Sequence, residues 1–523
     1  MKRFSKKLIS ILMAVILVAL TAVPAFAAVD ENGEALPIVY VIGKVDNIYQ
    51  DKDDPNSKVL YPISLDIKEK YKKKLLKSVT NIFSNSDDDA AWDELCDAIY
   101  NVIAEACKDI ALNENGEPKD NSGIIWDWKS DLKDTKENGL YGLEDYVFHY
   151  DWRLDMFHNA ELLDEYINAV LDVTGAKKCV LVSRCYGCNV ATTYLSKYGN
   201  DKIDTNVLYC SVAAGSVVCG EMFSGQIEIN PEGLDRYVDE LLGVNPITAI
   251  LGQLVGSVPG LSTITSSLIN LVYEKISDRL MPKSLVSSFA SMPGYWSMVN
   301  TDYFADAKNY VFGSEGSEDR QKYAGLIEKI DYYYDNILVN VKDIVTDAYN
   351  TGTKYANITK YGNQIVPAIK SCDYIGDGIV EVPSASFGAT SVLRNQTFSA
   401  EYINDAISYG KFNYISPDYT IDASTALFPD YTWFAEGVEH FDFPKSVDKL
   451  ILAIARYDGQ MDVYSNPDFP QYAKYEGEGN MLTWALGGYI GSSDSSIFKT
   501  IRSILETLKK ILSILNSVLG GLN

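Results

Sequence analysis

Short apolar runs and amphipathic segments alternate along the first part of the chain. Pro37–Gly43 is an apolar run closed by glycine, and Tyr146–Tyr150, Cys179–Val182 and Val207–Ala213 are runs of the same kind. Continuous apolar runs without polar alternation predict strands buried on both faces of a parallel sheet. Between them, Ile82, Leu95, Ile99, Ile103 and Ala106 are spaced helically through a charged stretch over 68–110. Ala160–Val173 reads as an amphipathic helix, and Asn189–Tyr198 as a helix closed by Gly199. Strand and helix in alternation predict an α/β fold, with a mostly parallel sheet covered by helices on both faces. The sheet pattern resumes at Ala356–Thr359 and again at Thr432–Ala435.

Three segments stand outside this alternation. Lys2, Arg3, Lys6 and Lys7 precede the uncharged Leu8–Leu20, and Ala25-Phe26-Ala27 follows as a small-x-small site. That order predicts a secretory signal over 1–27, and hence an exported protein starting at Ala28. Leu241–Tyr273 runs for thirty-three residues without a charge but is interrupted by Pro246, Gly252, Gly256, Pro259 and Gly260. It suits an apolar lid, or equally a buried helical hairpin, better than a membrane span. Ile497, Ile501, Ile504, Leu508, Ile511, Leu515, Val518 and Leu522 recur every three or four residues, with Lys499, Arg502, Lys509 and Lys510 among them. This predicts an amphipathic helix that docks on the protein's own body, on a second copy, or on a membrane surface. The expected division is therefore a signal at 1–27, an α/β core at 28–215 and 356–490, a helical cap at 216–355, and a terminal helix at 491–523.

The charge balance is strongly acidic: 71 Asp and Glu against 46 Lys and Arg, for a net charge of −25. Such a surface repels nucleic acid and anionic lipid headgroups, so neither is expected as an electrostatic partner. Eight cysteines in 523 residues are too sparse for a disulfide framework. Cys179, Cys210, Cys219 and Cys372 fall on expected strands or their ends, where cysteine serves as a small hydrophobe. Cys96 and Cys107 share one helix face. No ligand spacing points to a metal, and no cofactor is expected.

The chemistry concentrates at Val180-Leu181-Val182-Ser183-Arg184-Cys185-Tyr186-Gly187-Cys188, where a buried strand meets a tight turn and then a helix. The nucleophile elbow G-x-S-x-G occupies that context, and here Cys185 holds the nucleophile position between Ser183 and Gly187. A thiolate at a helix N-terminus gains from the helix dipole, with Arg184 adjacent, and needs less base assistance than a hydroxyl. On this fold the chain order is nucleophile, acid, histidine. Of three histidines, His149 and His158 precede Cys185, which leaves His440, just past Thr432–Ala435. Asp377, in the tight turn Gly376-Asp377-Gly378, is the expected acid, with Asp373 and Asp422 as weaker candidates.

At these residues the chain resembles the lecithin:cholesterol acyltransferase-like branch of the α/β-hydrolase superfamily. Tyr150-Asp151-Trp152-Arg153 is similar to that family's Tyr-Asp-Trp-Arg segment, and Gly376-Asp377-Gly378-Ile379-Val380 to its acid motif. Val438-Glu439-His440 resembles its histidine loop, and Ile42-Gly43-Lys44 the turn that supplies an oxyanion donor. The likeness spans Pro37 to about Ala453 and departs from the family at the elbow, where cysteine replaces serine. Dienelactone-hydrolase-type members also carry cysteine there. The resemblance implies acyl-ester chemistry on lipids, by hydrolysis or acyl transfer. Cys185 would attack, His440 would shuttle the proton, and Asp377 would orient His440. The N–H of Tyr186 and that of Lys44 or Val45 would bind the oxyanion. Two other readings stand beside it: an inactive scaffold that binds a lipid, and a thiol–disulfide protein using Cys185-x-x-Cys188.

Overall fold

The computed structural model describes residues 35–43, 46–63, 73–74, 77–78, 89–228, 279–475 and 482–484. The signal segment, Lys44 and Val45, the apolar stretch at 241–273 and the C-terminal amphipathic segment lie outside the described residues.

The main sheet is built from β1 (Ile38–Val41), β2 (Tyr146–Phe148), β3 (Cys179–Arg184), β4 (Ile203–Tyr209), β5 (Lys354–Tyr361), β6 (Thr432–Glu436), β7 (Tyr472–Tyr475) and β8 (Leu482–Trp484). Their spatial order is β8-β7-β6-β5-β4-β3-β1-β2. The first seven pair in parallel, and β8 adds an antiparallel edge to β7. Parallel pairing requires crossovers, and helices supply them. These include α1 (Asp89–Cys107), α2 (Met156–Thr174), α3 (Gly187–Tyr198) and α4 (Lys445–Ala455).

Burial on both faces explains why the strands read as unbroken apolar runs. Val39 and Val41 of β1 join Leu181 of β3 in one cluster with α1, α2 and α3, while Ile38, Tyr40, Val180 and Val182 join a second cluster with α4. The first cluster also takes in Leu285, Phe289, Trp296, Phe304 and Leu326. The described part of the expected cap thus packs into the same core as the sheet. Cys96 and Cys107 are both buried on α1, and all eight cysteines are free thiols.

Element ends differ from the sequence reading where a side chain or a turn decides them. α2 begins at Met156, because the Asp155 carboxylate caps the N–H of His158, and it ends at Gly175 in the left-handed region with φ 70°. β4 stops at Tyr209 instead of running to Ala213, since Cys210 turns the chain with φ 42°. Cys219 lies on a short helix, Val217–Phe223, and Cys372 in a turn, so neither is on a strand.

The topology places the site. The chain passes from β1 to β2 on one side and returns at β3 on the other, so the carboxyl ends of β1 and β3 border a switch point. In open α/β sheets the crevice at such a point is where ligands bind.

Candidate active site

Cys185 directly follows β3 and precedes α3, at φ 50°. A positive φ is uncommon for a residue with a side chain, and here the neighbours impose it. The Cys185 N–H donates to Tyr209 O at 2.9 Å, which continues the ladder with β4 while the chain turns away. The turn presses the backbone against β1. A Cβ on Gly187 would sit 2.4 Å from Val41 O, and one on Gly43 would sit 2.5 Å from Cys185 Cβ. Only glycine fits either position, which is the physical content of the small-residue pattern around the elbow.

The three residues expected to converge do so. Cys185 Sγ lies 2.9 Å from His440 Nε2, and His440 Nδ1 lies 2.7 Å from Asp377 Oδ2. The other Asp377 oxygen accepts the N–H groups of Ile379 and Val380 at 3.0 and 2.8 Å, and Asp377 O accepts the His440 N–H at 2.7 Å. The acid turn and the histidine loop are therefore joined by backbone as well as side chain. Asp377 and His440 are buried, while Cys185 is half-buried and reachable.

Electrostatics follow from the contacts. Burial pushes the Asp377 carboxyl up, but His440 and then Lys360 outweigh it and hold it below the usual carboxylate range. Burial pushes the His440 imidazole down, and Asp377 and Cys185 drive it well above its ordinary value. Burial pushes the Cys185 thiol up, yet His440 and the Tyr186 N–H bring it below an ordinary thiol. The contacts favour the charged forms of all three groups, thiolate, imidazolium and carboxylate.

The remaining candidates lie elsewhere. Asp373 is paired with Arg394 at 3.7 Å, and Asp422 accepts from Tyr402 and Ser424. Neither faces His440. The guanidinium of Arg184 stacks 3.7 Å over the Phe443 ring. Cys188 is buried in α3, its sulfur receiving the Ser183 hydroxyl at 3.4 Å and lying 3.9 Å from Tyr209 O. Burial raises its thiol to about 12. Lys44 and Val45 are outside the described residues, but their neighbours are not. Asp46 is held by Trp152, whose Nε1–H donates to Asp46 O at 2.9 Å, and by His149, whose Nδ1 lies 3.0 Å from Asp46 Oδ1.

The Asp151-Trp152-Arg153 segment thereby acquires a structural role. Arg153 is fully buried and forms a two-pronged pair with Asp151, while also donating to Ile110 O and to Ser122. This anchors the chain that carries Trp152 against the loop after β1.

Sequence reasoning missed Lys360. Its buried ammonium donates to the carbonyls of Glu439, His440 and Asp442 at 3.0, 2.8 and 2.8 Å. The available signal was a lysine inside an otherwise buried strand run, where a charge must be paired or fully hydrogen-bonded. Cys210, read as a strand hydrophobe, has its sulfur within 4.8 Å of a His440 ring nitrogen and an Asp377 oxygen. A soft divalent ion at those three donors would have to displace the His440–Asp377 hydrogen bond.

The strand order, the elbow after β3, the acid after β5 and the histidine after β6 make this an α/β-hydrolase-like fold with cysteine at the elbow. No family model matches the chain, and no curated protein matches it. Among solved structures, it is similar to a chain of the Tle4-Tli4 complex, at 12% identity and a TM-score of 0.24, over 62% of this chain and 75% of that one. It is also similar to a hydrolase from Oleispira antarctica, at 11% identity and a TM-score of 0.15, over 55% of this chain and 81% of that one. At such scores the likenesses add nothing to the fold, which rests on the strand order.

Proposed function

We propose that the protein is an exported cysteine-dependent acyl hydrolase or acyltransferase acting on acyl esters, with lipid esters as the substrate class the motifs favour. One observation carries this reading: the unbroken chain from Cys185 Sγ to His440 Nε2 at 2.9 Å and from His440 Nδ1 to Asp377 Oδ2 at 2.7 Å. The Cys185 thiolate adds to the ester carbonyl carbon, and the carbonyl oxygen takes the negative charge. The Tyr186 N–H and a second N–H from Lys44 or Val45 receive that oxyanion. Collapse breaks the C–O bond, and the alkoxide leaves with the proton from His440 Nε2. An acyl thioester remains on Cys185. Water or an acceptor alcohol, deprotonated by His440, then attacks the thioester and returns Cys185 to the thiolate. Asp377 keeps Nδ1 protonated and the ring aligned.

The test is covalent labelling with a chloroacetamide probe, read by peptide mass, together with turnover of a panel of acyl esters under reducing conditions. Probe on Cys185, with turnover abolished in Cys185→Ala and cut about a hundredfold or more in His440→Ala, supports the reading. Labelling of Cys185 no faster than in His440→Ala, and no turnover across the panel, would leave a hydrolase scaffold without hydrolase chemistry.

A further inference from the structure

Cys210 is a second thiol at the same imidazole, and the acyl-transfer chemistry gives it no task. β3 and β4 pair in register with Ser183 opposite Leu208 and Arg184 opposite Tyr209, so Cys185 and Cys210 are the next residues on neighbouring strands. Both leave their strands at positive φ, 50° and 42°. The register sets them side by side at the carboxyl ends of β3 and β4, and a disulfide between them needs their Cα atoms within about 4.4–6.8 Å of each other. The Cys185 sulfur touches His440 Nε2, and the Cys210 sulfur lies within 4.8 Å of a ring nitrogen of the same histidine.

The other nearby thiol is placed differently. Cys188 packs with Leu208, Val341, Val345 and Tyr355, whereas Cys210 packs with Tyr209, Ile358 and Val438 in the cluster on the far sheet face, which Cys185 also touches. The two candidate partners of Cys185 thus lie in different clusters, Cys188 in one and Cys210 in the other.

We propose that Cys210 is the resolving cysteine for Cys185, closing a reversible Cys185–Cys210 disulfide when a peroxide oxidises the nucleophile. In the first step the Cys185 thiolate attacks one peroxide oxygen and the O–O bond breaks. Sulfur is oxidised to the sulfenic acid, and the departing hydroxide takes a proton from His440 to leave as water. In the second step the Cys210 sulfur attacks the Cys185 sulfur. The S–S bond forms, the S–O bond breaks, and the Cys210 proton passes through His440 to the leaving hydroxide. Two thiols and one hydrogen peroxide become one disulfide and two waters. Burial pushes the Cys210 thiol up, opposed by Lys360 and His440, so this cysteine stays protonated until the histidine draws its proton. The disulfide spares Cys185 the further, irreversible steps of sulfur oxidation.

This inference concerns thiol chemistry and stands apart from the ester reading; its readout is mass, not turnover. The reduced full-length protein is treated with hydrogen peroxide, and its peptides are mapped without reduction. The expected product is a Cys185–Cys210 linked peptide that dithiothreitol returns to two alkylatable thiols. In Cys210→Ala, Cys185 should instead gain two or three oxygens, and dithiothreitol should recover about fivefold less alkylatable Cys185 than in wild type. Cys188→Ala should leave the linkage intact. A Cys185–Cys188 peptide in the wild type, sulfinic acid as its main product, or equal recovery in wild type and Cys210→Ala would overturn the proposal. The wild-type peptide map alone decides the linkage even if Cys210→Ala does not fold.

Discussion

The ammonium of Lys360 donates to the main-chain carbonyl of His440 at 2.8 Å, from a side chain almost wholly buried on β5. It also reaches the carbonyls on either side, of Glu439 and Asp442, and lies over the rings of Tyr209 and Phe443. A lysine in the core thus holds the loop that presents the His440 imidazole to Cys185. Hydrogen bonds from a charged donor contribute about 1.5–3 kcal/mol each, and a buried cation left without them would not persist.

Lys360 is therefore a positioning residue. Lys360→Met, which keeps the length and apolar stem, should lower the rate of Cys185 alkylation near neutral pH by about tenfold or more, because His440 loses its register with the sulfur. Circular dichroism should report retained secondary structure, and the alkylation pH profile should move toward that of an ordinary thiol. A rate and profile equal to wild type would show that the loop holds itself.

The reactivity of Cys185 should persist on the acid side of the ordinary thiol range. Its thiol is held low by the imidazolium of His440 against the pull of burial. As pH falls below the ordinary thiol value of about 8.5, alkylation of Cys185 should decline less than that of an ordinary thiol, and should fade only as pH drops through the lowered value. In His440→Ala burial acts unopposed, so the half-point should move above the ordinary value of about 8.5. Iodoacetamide rates across pH, read by peptide mass, check both.

Glu381 should make the fold less stable as pH rises. Burial lifts its carboxyl to about 7, although Ser384 and the Val217 N–H donate to it. The folded state then binds the proton more tightly than the unfolded chain. Its contribution is full below the ordinary value of about 4.5 and is lost as pH rises through about 7. The swing is on the order of 3–4 kcal/mol. Denaturant midpoints for wild type and Glu381→Gln, measured from pH 5 to 8, should diverge with pH, the variant lacking this slope.

Breaking the Asp151–Arg153 pair should unfold the protein more readily without touching the triad. Arg153 is fully buried, and every described partner of its guanidinium is polar. Asp151→Ala leaves that cation buried and short of an anion, at a cost of about 3–5 kcal/mol. Replacing Asp151 and Arg153 together by alanine should cost less than the two single changes summed. Thermal or denaturant unfolding of the three variants measures it.

Much of the architecture was legible before any coordinates, and the reason is local. Burial on both faces writes a parallel strand as an unbroken apolar run, so Ile38–Val41 and Cys179–Val182 announced themselves, while only the middle of Lys354–Tyr361, at Ala356–Thr359, was visible. The elbow was legible because steric crowding at Cys185 demands glycine at 43 and 187, and demands of that kind leave a mark on composition. The order Cys185, Asp377, His440 followed from having a single histidine downstream of the elbow.

What the sequence could not contain is which residues meet across strands far apart in the chain. Asp377 was favoured over Asp373 and Asp422 by its Gly-Asp-Gly turn, but only the fold shows that it alone of the three lies 2.7 Å from His440. Lys360, 80 residues from the carbonyl of His440 that it holds, gives no local sign of its partners. The adjacency of Cys185 and Cys210 depends on parallel pairing of β3 with β4, and register between strands is a tertiary property. Local sterics and periodicity determined the elements and the elbow; long-range pairing brought Asp377 to His440 and decided the clamp on the histidine loop and the second thiol at the site.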